Sequence, residues 1–405
     1  MRNSIIVFLI FTSCLFSINA QTQSQASISG IVKDSLTGLP LKDVNVYIAM
    51  TLLGTTTNEN GEYRIRNVPF GRYVLIFSHI AYKNDHEDIS VQQSYNYVFD
   101  HSLLPAPFEL PEIDVKTMNE KEWQKNFEIF KKHLLGYGEF ADSCRILNPY
   151  KIDFKYNEEG NLLAISRQPI QIINTALGYE LLFFMKYFEK EFSSVKFAGL
   201  PVFSELPPAN EEQAKIWENN RIKAYAGSLR HFLKSIADSY ENIIKGKAST
   251  KLLIDLDDKT DDGYKFEYDS TITFTKQGFK AYYQSTNPIR RGRNFIVGPF
   301  FVDSSVFPSP VLNELYFVAE KYIQVRFERE LDEKIPSFLW PSETQTSWVK
   351  LQADSVVFDK QGRYFDEFMI ETFGYWAKER LSDMLPLEFN LPDSILINYS
   401  DRKKR

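Results

Sequence analysis

Cysteine is nearly absent: the 405-residue chain holds two, Cys14 and Cys144. Cys14 lies in the apolar N-terminal segment, so removal of that segment leaves Cys144 alone and excludes an intramolecular disulfide. A chain of this length without disulfides depends on its own hydrophobic cores, which is ordinary for a bacterial envelope protein. The neighbours Ala141, Ile146 and Leu147 predict that Cys144 is a buried structural thiol. Histidine is also scarce, at five residues: His79, His86, His101, His133 and His231. None begins a His-x-x-Glu or His-Glu-x-x-His string, so the usual zinc-hydrolase ligand sets are missing. Beyond the N-terminus no apolar run reaches 18 residues, which excludes a helical membrane span in the mature chain. Basic residues are outnumbered, 47 Lys and Arg against 53 Asp and Glu, for a net charge of -6. Nucleic acid is therefore a poor partner. Phosphate-binding glycine loops, dinucleotide fingerprints and nucleophile elbows are all absent.

What is present begins with a secretory pattern. Arg2 is the positive end, Ile5 to Phe16 the apolar stretch, and Asn19-Ala20 the small-residue exit before Gln21, so cleavage after Ala20 is expected. An alternative places a lipoprotein box at Phe11-Thr12-Ser13-Cys14 with Cys14 lipidated. Aromatic residues are abundant, with 33 Phe, 22 Tyr and 5 Trp, and they favour strands.

Residues 26–104 alternate short apolar segments with turn signals. Val44, Val46 and Ile48 recur at period two, as do Tyr63 and Ile65, and Tyr73, Leu75 and Phe77, so each set can face one core. Thr37-Gly38-Leu39-Pro40 and Val68-Pro69-Phe70-Gly71 read as reversals, and Asn60-Gly61 as a tight hairpin. Ser29-Gly30-Ile31-Val32-Lys33-Asp34, the Thr37 turn, Val44-Asn45-Val46, Gly54-Thr55-Thr56-Thr57-Asn58, Gly61-Glu62-Tyr63 and Pro69-Phe70-Gly71-Arg72-Tyr73 follow in an order that resembles the carboxypeptidase regulatory-like domain. The resemblance covers about a fifth of the chain. It implies a transthyretin-like, seven-stranded β-sandwich found on exported proteins and before outer-membrane receptors, without the peptidase active site that the family name suggests.

Pro105, Pro107 and Pro111 mark a linker at 105–117. The remainder, 118–400, reads as a β-rich α+β region, making the whole mainly β. Asn119 to Leu135 carries Trp123, Phe127, Phe130 and Leu134 at helical spacing. Strands follow from Tyr150 to Phe203, and Asn210 to Ser239 reads as the longest helix. More strands are expected from Lys251 to Phe327, a hairpin joining Ser355–Phe358 to Phe368–Phe373 around Gln361-Gly362, and a last helix from Tyr375 to Met384. Asp255, Asp257, Asp258, Asp261 and Asp262 lack the closing Glu of a calcium loop and read as a hairpin tip. Arg290-Arg291-Gly292-Arg293 and Arg402 to Arg405 read as a solvated basic loop and tail.

On the long helix, Trp217, Arg221, Tyr225, Arg230 and His231 mix aromatic bulk with hydrogen-bonding groups. Two readings stand: a groove for an anionic or sugar ligand, or polar groups pinning the helix to an aromatic sheet. With Leu177-Gly178-Tyr179 and Gly374-Tyr375-Trp376, this string resembles bacterial envelope proteins carrying the same module, a resemblance that brings no known activity.

The sequence thus points to a non-catalytic, exported binding or scaffold protein of a gram-negative envelope, in the periplasm or at the outer membrane. It would need no cofactor, and its partners would be an envelope glycan or an outer-membrane protein. Two alternatives are an accessory partner of a TonB-dependent transport system and a glycan hydrolase using Asp and Glu as acid and base.

Overall fold

Each period-two set of the N-terminal module turns the same side inward. Val44, Val46, Ile48, Tyr63, Ile65, Tyr73, Leu75 and Phe77 all lie in one buried core of the computed structural model. The structure describes residues 25–106, 119–246, 278–285, 287–288, 296–327 and 345–392, and the main chain of 252–260 and 263–268. The expected signal segment, most of the linker, Asp261, Asp262, the Arg290–Arg293 loop and the basic tail lie outside the described residues.

The module runs β1 (Ala26–Asp34), β2 (Asn45–Ile48), β3 (Gly54–Thr56), β4 (Glu62–Val68), β5 (Gly71–Ser78), β6 (Asp85–Val91), β7 (Asn96–Val98) and β8 (His101–Leu103). One sheet has the order β4-β1-β7, with β8 also on β1, and the other has β3-β2-β5-β6. Both β7 and β8 run parallel to β1, and between them Ile31 N–H donates to Asp100 Oδ1 at 2.8 Å. They are two halves of one interrupted strand, which gives the sandwich its seven-strand architecture. Asn60-Gly61 does not close a hairpin. Its flanking strands β3 and β4 belong to different sheets, so the turn carries the chain across the sandwich. Asn58 Oδ1 accepts from the N–H groups of Asn60 and Glu62, each at 2.9 Å, and Gly61 takes a positive φ of 72°. The turn chemistry was legible, but its sheet partners depend on distant strands.

Next comes α1 (Glu120–Leu135), whose N-cap Asn119 accepts from Glu122 N–H. Its Phe127, Phe130 and Leu134 enter a second core built on β9 (Cys144–Ile146), β10 (Ile152–Tyr156), β11 (Leu162–Ser166), β12 (Ile170–Asn174), β13 (Tyr179–Lys190) and β14 (Val195–Glu205). β13 is long enough to pair with β12 and then β11 along one side, while β14 follows its other side.

The expected long helix is two helices, α2 (Glu211–Tyr225) and α3 (Leu229–Ile244). Gly227 breaks it with φ of 80°, and Ser228 caps α3 by accepting from His231 N–H at 3.1 Å. A Gly-Ser pair inside an amphipathic stretch acts here as a stop and a start. Beyond it, β15 (Leu252–Thr260) pairs antiparallel with β16 (Gly263–Tyr268), which corrects the expected tip: Asp255, Asp257 and Asp258 lie within the strand, and only Asp261 and Asp262 fall between the two in sequence. The third core joins α3 to β17 (Phe279–Gln284), β18 (Ile296–Pro299), β19 (Val306–Pro308), β20 (Glu314–Phe317), β21 (Tyr322–Phe327), β22 (Gln345–Leu351), β23 (Val356–Asp359) and β24 (Ile370–Gly374).

Two expectations at the C-terminal end are corrected. β23 pairs with β20 and β24 with β22, so they form no hairpin with each other. Residues 375–384 form turns and a 3-10 segment at Leu381–Asp383 in place of a helix. Tertiary contacts override the local helical pattern: Trp376 Nε1 donates to Gly227 O at 2.7 Å, and Asn174 Nδ2 to Ser382 O at 2.8 Å.

The sandwich is docked onto the larger region along a continuous seam. Ala49 and Ile76 pack with Leu200 and Val202. Met50, at a positive φ of 64°, donates to Pro201 O at 2.6 Å and accepts from Leu387 N–H at 2.8 Å. Further along, Arg72 pairs with the buried Glu314 at 2.7 Å, and Arg363 pairs with Asp359 at 2.9 Å while donating to Arg72 O. Phe365 lies against both guanidinium groups, at 4.6 Å from Arg72 and 4.7 Å from Arg363.

Candidate functional site

The five residues singled out on the helical stretch sit on two helices and face the interior. On α2, Trp217 is 6% exposed and donates from Nε1 to Thr175 O at 2.8 Å. Its ring covers Gly178, where an added Cβ would come within 2.3 Å of the indole. Arg221 lies 4.0 Å above the Tyr179 ring, donates from Nε to Leu177 O at 2.8 Å and pairs with Glu205 at 3.0 Å. Tyr225 is buried, and burial pushes its hydroxyl up to about 12.

On α3, Arg230 is saturated by main-chain carbonyls. It donates to Gln361 O at 3.3 Å, Leu385 O at 3.2 Å, Pro386 O at 2.9 Å, Leu387 O at 2.8 Å and Phe389 O at 3.0 Å. Burial lowers its pKa from the ordinary arginine value. His231 is 3% exposed, accepts from Gly227 N–H through Nδ1 at 3.1 Å, and meets the edges of Phe279 and Phe327. These residues thus meet at an internal elbow, where Trp217, Arg221 and Arg230 donate to main-chain carbonyls of 175–178, Gln361 and 385–389, His231 accepts a main-chain N–H, and the buried Tyr225 hydroxyl has no hydrogen-bond partner among the described residues.

A concave feature lies elsewhere, at the seam. A cleft of about 160 Å³ opens between the sandwich and the second sheet. Ile76, Phe184 and Leu200 supply its apolar lining, from β5, β13 and β14. Asn84, Asp85 and His86 enter from the start of β6, and Ser166, Arg167, Gln168 and Pro169 from the turn between β11 and β12. Asn84 bridges the two sides, accepting from Ser78 Oγ at 2.7 Å and donating to Arg167 O at 3.5 Å. Asp85 is held by its own turn, accepting His86 N–H at 2.8 Å, and meets His101 Nε2 at 3.2 Å. That imidazole stacks on Phe77 at 4.1 Å. At the other edge Lys186 is 3.7 Å from Glu367. An apolar floor with a rim of amides, a hydroxyl and charges of both signs suits a polar ligand with apolar faces.

Sequence reading missed this site because its residues come from segments about 80 positions apart. Other candidate groups are structural. Cys144 is free and buried, with its thiol pushed up to about 12 by burial. Among the described residues no group of three or more His, Cys, Asp or Glu side chains is arranged to hold a metal, and no helix is long and apolar enough to cross a membrane.

Residues 28–115 match the model of the CarboxypepD_reg-like domain. No curated protein matches the chain. Among solved structures, the 5-hydroxyisourate hydrolase of Klebsiella pneumoniae is similar at 20% identity over 20% of this chain and 91% of its own, with a TM-score of 0.18. A putative carbohydrate binding protein from Bacteroides uniformis is similar at 11% identity over 45% of this chain and 99% of its own, also at 0.18. A cohesin–X-dockerin complex of Acetivibrio cellulolyticus is similar at 20% identity and 0.18, over 20% of this chain and 56% of that chain. The match thus spans little more than half of that last chain's length.

Proposed function

We propose that the protein is a non-catalytic, exported binding protein of a gram-negative cell envelope, with its ligand site in the cleft between the CarboxypepD_reg-like module and the larger region. The observation that carries this reading is that both parts line the cleft while the seam beside it is closed by main-chain hydrogen bonds and the Arg72–Glu314 pair. A module fastened this way gives a cleft whose walls are set before ligand arrives, which lowers the entropic cost of binding. Export rests on the Arg2 to Ala20 pattern.

The test is binding and turnover by the purified protein against envelope glycans and short peptides, with His86→Ala and Gln168→Ala variants alongside. Both positions are exposed, so the variants should fold. Saturable binding without product, weakened in both variants, is the expected result. Product formation, or binding that neither variant alters, overturns it.

A further inference from the structure

Tyr150 is 82% exposed, yet it is not a loose surface side chain. Its ring stacks on Trp123, with centroids 5.3 Å apart and planes 19° apart, and Trp123 stacks in turn on Phe127 at 5.1 Å and 6°. The indole is fixed by Nε1 donating to Ile152 O at 3.0 Å. The 3-10 turn that carries Tyr150, Pro149–Lys151, is fixed as well. Asn148 beside it donates to Pro169 O at 2.9 Å and accepts Gln171 N–H at 2.9 Å. Ser166 Oγ donates to Lys151 O at 3.2 Å and to Gln168 O at 2.7 Å. The turn that presents Tyr150 is therefore braced by Ser166 and Pro169, two of the residues that line the seam cleft.

Resting on the binding-protein reading above, we propose that the ligand is a glycan chain, with one sugar ring in the seam cleft and a further ring stacked on the open face of Tyr150. The cleft is smaller than the roughly 300 Å³ at which pockets for drug-sized ligands begin, so a longer ligand has to continue over the surface. Around it, Arg167 and Lys186 stand with Asp85, and Lys186 is itself paired with Glu367 at 3.7 Å, while Asn84, Ser166 and Gln168 bring amides and a hydroxyl. This mixture does not select a strongly charged polymer, and its polar rim does not suit a lipid chain. A pyranose ring matches both features, offering hydroxyls to the rim and an apolar C–H face to an aromatic ring. A rigid, pre-stacked ring loses little freedom when a ligand covers it.

The experiment is isothermal titration of the purified full chain with the hexasaccharides of β-1,4-N-acetylglucosamine, β-1,4-glucose and α-1,4-glucose, and with tetra-alanine and tetra-lysine as peptide probes. At least one hexasaccharide should bind. Tyr150→Ala should weaken it about tenfold, the scale of an aromatic hot spot, and Tyr150→Phe should retain it, since the ring and not the hydroxyl makes the platform. If a hexasaccharide binds, weakens in Gln168→Ala and is unchanged in Tyr150→Ala, the platform is overturned and the cleft reading survives. If only a peptide binds, and Gln168→Ala weakens it, the glycan is overturned while the cleft stands. If no probe binds, the glycan proposal is overturned.

Discussion

The guanidinium of Arg230 holds the main-chain carbonyl of Leu387 at 2.8 Å, and the Leu387 side chain is buried in the core of the N-terminal sandwich. One arginine on α3 thus fixes the segment that ties the larger region to the module. Arg230→Ala takes away the guanidinium donor from several main-chain carbonyls, each left unsatisfied costing about 1–3 kcal/mol. A loss of at least about 3 kcal/mol in urea unfolding is expected. Arg230→Lys should recover little, because an ammonium cannot reproduce the planar fork that reaches five carbonyls.

Glu314 is almost wholly buried, and Arg72 from the module is its ion partner. Arg72→Ala would strand that carboxylate, at a cost of about 3–5 kcal/mol. The double variant Arg72→Met, Glu314→Leu removes both charges and should be more stable than Arg72→Ala alone. Denaturant midpoints of the three chains check the order.

Two glycines with nearly the same positive φ separate conformation from crowding. Gly160 has φ of 81° and open space around an added Cβ, so Gly160→Ala should cost about 1 kcal/mol for the left-handed backbone alone. Gly227 has φ of 80°, but a Cβ there would lie 2.1 Å from Gln345 Oε1 and 2.6 Å from the Phe327 ring. Gly227→Ala should therefore cost clearly more, about 2 kcal/mol or above, and shift the α2–α3 elbow. Thermal melts of both variants decide it.

Stability should fall on the acid side of neutrality through His133. Burial, aided by Lys190, Arg380 and Lys132, lowers its pKa to about 4. The folded state thus binds fewer protons than the unfolded one between the ordinary value near 6.5 and about 4. Its contribution is complete above about pH 6.5 and is lost as pH falls toward 4. His133→Gln should reduce the drop in urea stability between pH 7 and pH 5.

Much of the sandwich was legible because period-two burial and turn residues are local signals. Val44 to Ile48 and Tyr73 to Phe77 could be assigned to a core without knowing their partners. Pairing was not legible at Asn60-Gly61 or between β23 and β24, where partners are set by strands far along the chain. The single long helix failed at Gly227, where one positive φ outweighs the flanking helix formers. For the helical residues the two sequence readings could not be separated, since whether Arg230 meets a ligand or a carbonyl depends on where residues 385–389 return. The seam cleft had no sequence signature at all, because its two walls are joined only by folding.

The most direct test of a ligand site shared by both parts is hydrogen exchange of the protein with and without a saturating hexasaccharide that binds it. The account predicts slowed exchange in peptides covering 84–86 and 166–169 together, one from each wall of the cleft. Protection confined to one wall, or centred on the α2–α3 elbow around Arg221 and His231, would contradict it.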